Sequence, residues 1–136
     1  KDFAKRFGRK YGFTEDYQCE DADVVVVSMG TLGKEAEVAI DVLRKQGIKA
    51  GSMRLRWLRP FPKLDLKGKD VVVIDRDYSF GFGGILAKSI QAQLKTDVYS
   101  VIAGLGGQEV TYEDIADFIR KRHIGKEFWF GVSDNV

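Results

Sequence analysis

Cysteine and histidine are almost missing from this chain: Cys19 and His123 are each the single example in 136 residues. One cysteine excludes an internal disulfide and any all-cysteine metal or iron–sulfur site built by this chain alone. One histidine excludes a histidine-rich metal site and a Ser–His or Cys–His pair away from position 123. His123 follows Arg120, Lys121 and Arg122 and reads as a residue suited to the negative end of a helix. Proline is limited to Pro60 and Pro62, which stiffen one turn around Phe61 and forbid helix there. No apolar run approaches the roughly 20 residues of a membrane span. An excess of one charge is lacking too. The 22 Lys and Arg against 20 Asp and Glu leave +2, too little to argue for nucleic acid or a membrane surface as partner. The N-terminal KDFAKRFGRK is basic but has no apolar stretch behind it, so it does not read as a secretory signal, and a cytoplasmic location is expected. What is present, 44% hydrophobic and 31% charged, suits one globular domain over 1–136, or a fragment of a larger chain, with a core at about 15–122 and extensions at 1–14 and 123–136.

The clearest positive signal is VVVIDRDYSFGFGG at Val71–Gly84. Four β-branched residues end in Asp75-Arg76-Asp77 and then in glycines, as a strand buried on both faces ends where it leaves its sheet. The same alternation runs along the chain. Strands are expected at Val24–Met29, Ile48–Leu55, Asp70–Asp75 and Val98–Ile102, with a short edge strand at Tyr17–Glu20. Helices are expected at Lys34–Gln46, Gly84–Leu94 and Thr111–His123. Thr111 caps the last of these, with Glu113 and Asp114 in its first turn and Arg120, Lys121 and Arg122 in its last. Strand–helix repetition implies a mostly parallel sheet covered on both faces. Right-handed crossovers then bring the loops Ser28–Gly33, Arg56–Pro62, Arg76–Gly84 and Ala103–Gln108 to one edge. The aromatic residues Phe3, Phe7, Tyr11, Phe13 and Tyr17, and Phe128, Trp129 and Phe130, are too apolar to stay in water and should pack on this domain or a neighbour.

Familiar site motifs fail on inspection. The segment from Gly81 has Leu86 where a dinucleotide fingerprint needs its third glycine, and that from Gly104 has Glu109. Ala87-Lys88-Ser89 lacks the glycine a phosphate-binding loop places before its lysine. Ser28–Gly33 either offers amides to an anion or is a tight turn with Thr31 as helix cap, the second being preferred. Asp75 and Asp77 are better suited to ion pairs with Arg76, Arg56 or Arg59 than to catalysis. Arg54, Arg56 and Arg59 can grip a phosphate or a partner carboxylate. No nucleophile, metal set or acid–base pair assembles.

Asp23–Gly30, Gly47-Ile48-Lys49, Arg54-Leu55-Arg56 and Arg59–Pro62 resemble the transketolase C-terminal domain. More narrowly, Val72–Asp77, Ser79-Phe80-Gly81, Gly83-Gly84 and Ile102–Gly107 resemble the end of the α subunit of pyruvate:ferredoxin oxidoreductase and its 2-oxoacid relatives. The resemblance covers roughly residues 15–120. It implies a three-layer α/β/α fold on a mostly parallel five-stranded sheet with one antiparallel edge strand, Tyr17–Glu20. It implies a part in an enzyme that decarboxylates a 2-oxoacid, with pyruvate favoured, on thiamine diphosphate and magnesium. Electrons pass through iron–sulfur clusters to ferredoxin, and the acyl group goes to coenzyme A. The Gly-Asp-Gly diphosphate signature and the cluster cysteines are absent here, so those cofactors are expected elsewhere in the complex and no catalytic residue is carried over. The domain is expected to organise the assembly through Arg76, Asp77, Ser79, Phe80, Gly81, Gly83, Gly84, Gly104, Gly106 and Gly107. Arg56, Arg59 and Arg76 are the candidates for contact with coenzyme A phosphates. The other readings are a free-standing module holding a small anion at Gly30–Gly33 and a flavodoxin-like electron carrier.

Overall fold

The computed structural model describes residues 14–56, 62–76, 78–79 and 83–131. Strands are β1 (Thr14–Tyr17), β2 (Val24–Met29), β3 (Ala50–Leu55), β4 (Asp70–Asp75), β5 (Tyr78–Ser79), β6 (Gly83–Gly84), β7 (Tyr99–Ile102) and β8 (Glu127–Trp129). Helices are α1 (Leu32–Lys45), α2 (Ile85–Leu94) and α3 (Tyr112–Arg120), with a 3-10 turn at Leu105–Gly107. The main sheet runs β1-β3-β2-β4-β7-β8. Only β1 is antiparallel, pairing Thr14 with Leu55 and Tyr17 with Ser52.

The valine runs explain the centre. In β2, Val24 and Val26 face one layer and Val25 and Val27 the other, all fully buried. In β4, Val72 and Ile74 share the first layer and Val71 and Val73 the second. A strand covered on both sides gains from an apolar residue at every position, at about 1.5–3 kcal/mol each. The first layer is α1 and α3, with Ala36, Ala39, Ile40, Leu43, Ile115 and Ile119 inward. The second is α2 with Leu64 and Leu66. Gln93 ties the segment around those leucines to α2, accepting from the Leu64 N–H at 2.8 Å and donating to the Pro62 carbonyl at 2.7 Å. Among the described residues no helix is long and apolar enough to cross a membrane.

Four expectations need correction. The edge strand is Thr14–Tyr17, not Tyr17–Glu20, because Gln18 takes a positive φ of 53° and turns the chain. The sheet has six strands rather than five, since Glu127–Trp129 joins β7 in parallel. Phe128 of this strand and Phe130 just after it pack on α3, 6.1 Å and 5.2 Å from Phe118 between ring centres. Helix α3 ends at Arg120 rather than His123. Finally, not every crossover is right-handed. The connections β4–α2–β7 and β7–α3–β8 step the same way across the sheet with helices on opposite faces, so their hands are opposite. The first shares the hand of β2–α1–β3, the common right-handed one; the second is the exception.

Candidate functional site

Strands β2 and β4 are neighbours, yet their helices leave in opposite directions across the sheet, β2 toward β3 and β4 toward β7. That divergence opens a crevice beyond their carboxyl ends, where open α/β sheets take ligands and partners. A depression of about 400 Å³ lies there, lined by Met29 and Gly30 from the end of β2, Asp75 and Arg76 from the end of β4, and Ile85 and Leu86 from α2. A second, of about 350 Å³, lies beside it against Glu35, Gly104, Gly107 and Glu109, and Arg76 lines both.

The buried Asp75 holds two backbone amides of the following helix. Its Oδ1 accepts from the Leu86 N–H at 2.8 Å and its Oδ2 from the Ala87 N–H at 3.0 Å. A carboxylate from one strand thus caps the helix that follows, meeting both the free amides and the positive end of the helix dipole. Gly84 makes the approach possible, because a Cβ there would overlap the Asp75 carboxylate and crowd Ile102. Glu35 of α1 plays a similar part toward α3, accepting from the Tyr112 N–H at 3.0 Å. Helix α3 also carries the expected cap: the Thr111 hydroxyl accepts from the Asp114 N–H and the Asp114 carboxylate from the Thr111 N–H. Thr31 stands at the cap position of α1 but makes no side-chain cap bond.

The expected interface residues divide. Ser79 pairs with Gly83 and Tyr78 with Gly84, so the glycine-rich stretch is a small hairpin rather than a plain loop. Gly104 lies against Arg76 and Gly84 against Asp75 and Ile102, while Gly83 faces Lys88 and Glu127 and Gly107 lies beside the second depression. Gly106 lies in the 3-10 turn. Asp77, Phe80, Gly81 and Arg59 lie outside the described residues, as do Phe3, Phe7, Tyr11 and Phe13. Arg56 is elsewhere. It and Arg54 both engage Glu15 of β1, Arg54 Nε at 3.3 Å. The Arg56 hydrogen bond holds the Glu15 carboxyl below its ordinary range. Arg54 and Arg56 therefore already share a carboxylate from their own chain. Among the described residues Arg76 has no ion pair. Sequence reasoning missed the apolar contribution of Ile85 and Leu105, 41% and 37% exposed. Among the described residues no group of three or more His, Cys, Asp or Glu comes together.

Residues 22–115 match the family described as pyruvate:ferredoxin oxidoreductase core domain II. The chain is 37% identical over 142 residues to pyruvate synthase subunit PorA of Methanothermobacter thermautotrophicus, covering 98% of this chain and 37% of that protein. It is 41% identical over 126 residues to ketoisovalerate oxidoreductase subunit VorA of Pyrococcus horikoshii, covering 85% and 32%. The chain thus spans about a third of the length of these curated relatives. Among solved structures it resembles a 2-oxoglutarate:ferredoxin oxidoreductase from Magnetococcus marinus, with TM-score 0.61 and 24% identity over 88% of this chain and 21% of that one. A transketolase mutant from Pichia stipitis follows the same fold, with TM-score 0.52 and 22% identity over 81% of this chain and 18% of the other. The sheet order, the antiparallel β1 and the family match lead to one conclusion: the chain belongs to the pyruvate:ferredoxin oxidoreductase core domain II family and has the transketolase C-terminal fold.

Proposed function

We propose that this chain is the non-catalytic assembly domain of a cytoplasmic, thiamine-diphosphate-dependent 2-oxoacid:ferredoxin oxidoreductase. Its strand-end edge packs on the adjoining catalytic domain or subunit. Pyruvate is the proposed substrate, and acyl-CoA, CO2 and reduced ferredoxin are the products. Thiamine diphosphate, magnesium and the iron–sulfur clusters are held elsewhere in the complex. The observation that carries this reading is the character of the edge. Arg76 and Ile85 stand exposed at the larger depression, and exposed Leu105 follows directly on Gly104, which lines the second, while the nearby carboxylates of Asp75 and Glu35 are engaged with helix amides. Exposed apolar groups around an arginine make a surface suited to another protein surface.

The test uses the full-length protein with its partner subunits. Changing Ile85→Asp and Leu105→Asp together is expected to disrupt assembly and 2-oxoacid-dependent dye reduction. Val38→Asp, at an equally apolar and 46% exposed position in mid-α1, should do neither. Intact assembly and activity in the double variant would overturn the reading. A second reading, a free-standing module for a small anion, is favoured only by Gly30 and Arg76 sharing the larger depression. A rise in melting temperature with a phosphate-bearing ligand would support it.

A further inference from the structure

Arg76 is positioned before any partner arrives. It follows β4 directly, and its side chain lies along Gly104 at the end of β7. A Cβ built on Gly104 would stand only 3.3 Å from Arg76 Nε and 3.4 Å from its Cγ. The missing side chain at position 104, with its φ of +79°, is the space the arginine uses. A guanidinium propped in this way loses less freedom when it binds than a free one, so more of its attraction survives as affinity.

The surroundings say what it would bind. Arg76 is the one cation lining either depression among the described residues, against the carboxylates of Asp75, Glu35 and Glu109. With Asp75 and Glu35 already engaged by helix amides, a coenzyme's several phosphates would still find only one positive group. A single carboxylate would be matched by the single arginine. Exposed Ile85 shares the larger depression with Arg76, and exposed Leu105 is the chain neighbour of Gly104; these apolar groups suit a protein segment better than a hydrated phosphate.

We infer that Arg76, propped on Gly104, is the docking point for a carboxylate side chain on the domain or subunit that covers this edge. This rests on the assembly reading above. Gly104 acts as a positioning residue for the arginine, and the two planar groups can meet in a bidentate pair.

The experiment uses the full-length protein with its partner subunits and compares Arg76→Glu, Arg76→Lys and Gly104→Ala with the Ile85→Asp, Leu105→Asp double variant. Subunit association is followed by native mass spectrometry and domain docking by calorimetry, with the coenzyme A KM measured in parallel. Arg76→Glu is expected to weaken association roughly 30-fold or more, or to split one cooperative unfolding transition into two. Arg76→Lys should lose less. Gly104→Ala should weaken docking in the same direction, and its effect should largely vanish when Arg76→Glu is already present. Loss of docking in the apolar double variant with none in Arg76→Glu would overturn the inference while leaving the assembly reading standing. No loss in either would overturn both. Unchanged docking with a tenfold rise in the coenzyme A KM for Arg76→Glu would make phosphate the occupant and overturn the carboxylate. If Gly104→Ala lowers docking equally with and without Arg76→Glu, the glycine acts independently of the arginine, and the positioning role is overturned.

Discussion

Asp75 shows how much one side chain can settle. The sequence offers it as a neighbour of Asp77 and Arg76, and local spacing suggests an ion pair. Two of its bonds go to the first amides of a helix that begins ten residues later. The link is invisible in the sequence because it depends on Gly84 having no side chain where the carboxylate passes. Asp75→Ala should cost about 2–4 kcal/mol, since two buried amides lose their acceptor. Asp75→Asn keeps one acceptor oxygen and should cost less. Gly84→Ala should cost about 1–3 kcal/mol by crowding alone, as its φ of −65° suits any residue. Urea unfolding of the three variants checks the order. If Asp75→Ala proves as stable as the parent, the cap contributes nothing and α2 is held by its apolar face.

At the level of elements, the two edges of the sheet are fastened by different physics. Edge β1 is held by charge. Arg44 of α1 donates to the Gln18 carbonyl at 2.7 Å, to the Ala50 carbonyl at 2.8 Å and to both Asp21 oxygens. Across the edge, Glu15 meets Arg54 and Arg56. The hydrogen bond from Arg44 lowers the Asp21 carboxyl, and that from Arg56 lowers Glu15. A carboxyl that is more acidic folded than unfolded stabilises the fold above its unfolded pKa of about 4. That contribution disappears as pH falls through the lower folded value. Stability should therefore fall as pH drops below about 4. The Glu15→Gln, Asp21→Asn double variant should be weaker at pH 7 and flatter in the acid range, and salt should shrink the difference. An identical acid profile in the double variant would show that other carboxyls set it. Edge β8 is held by aromatic contact instead. Phe130→Ala removes the edge-on contact with Phe118 and should cost about 1–3 kcal/mol at any pH in thermal unfolding. A loss under about 0.5 kcal/mol, the size of an ordinary surface change, would mean the ring is replaceable by solvent.

Over the whole molecule, what the sequence reveals falls off with contact range. The runs Val24–Met29 and Asp70–Asp75 match their strands end to end, because a doubly buried strand has one composition and clear stops. The family resemblance supplied the layers and the antiparallel edge. The site was less legible, since Gly30, Arg76 and Gly104 are far apart in the chain and meet only because β2, β4 and β7 are adjacent in the sheet. Periodicity reports what an element buries and says nothing of its neighbour. It also misses β8, three residues long with Phe128 42% exposed, which has no buried pattern to detect. The same contrast predicts the order of opening. The amides of Val25–Val27 and Val71–Val73 lie in strands paired on both sides and covered by both layers, so they should exchange with solvent only when the whole domain unfolds. The Phe130 amide, bonded to the Ile102 carbonyl at 2.9 Å, sits just past a short edge strand reached by the one crossover of unusual hand. It should exchange on the order of 100-fold faster, through local opening. Native-state hydrogen exchange separates the cases. If Phe130 exchanges as slowly as Val26, β8 is part of the single cooperative unit. If it exchanges early, the five-stranded sheet is the stable body, and β8 is an edge that opens while that body stays folded.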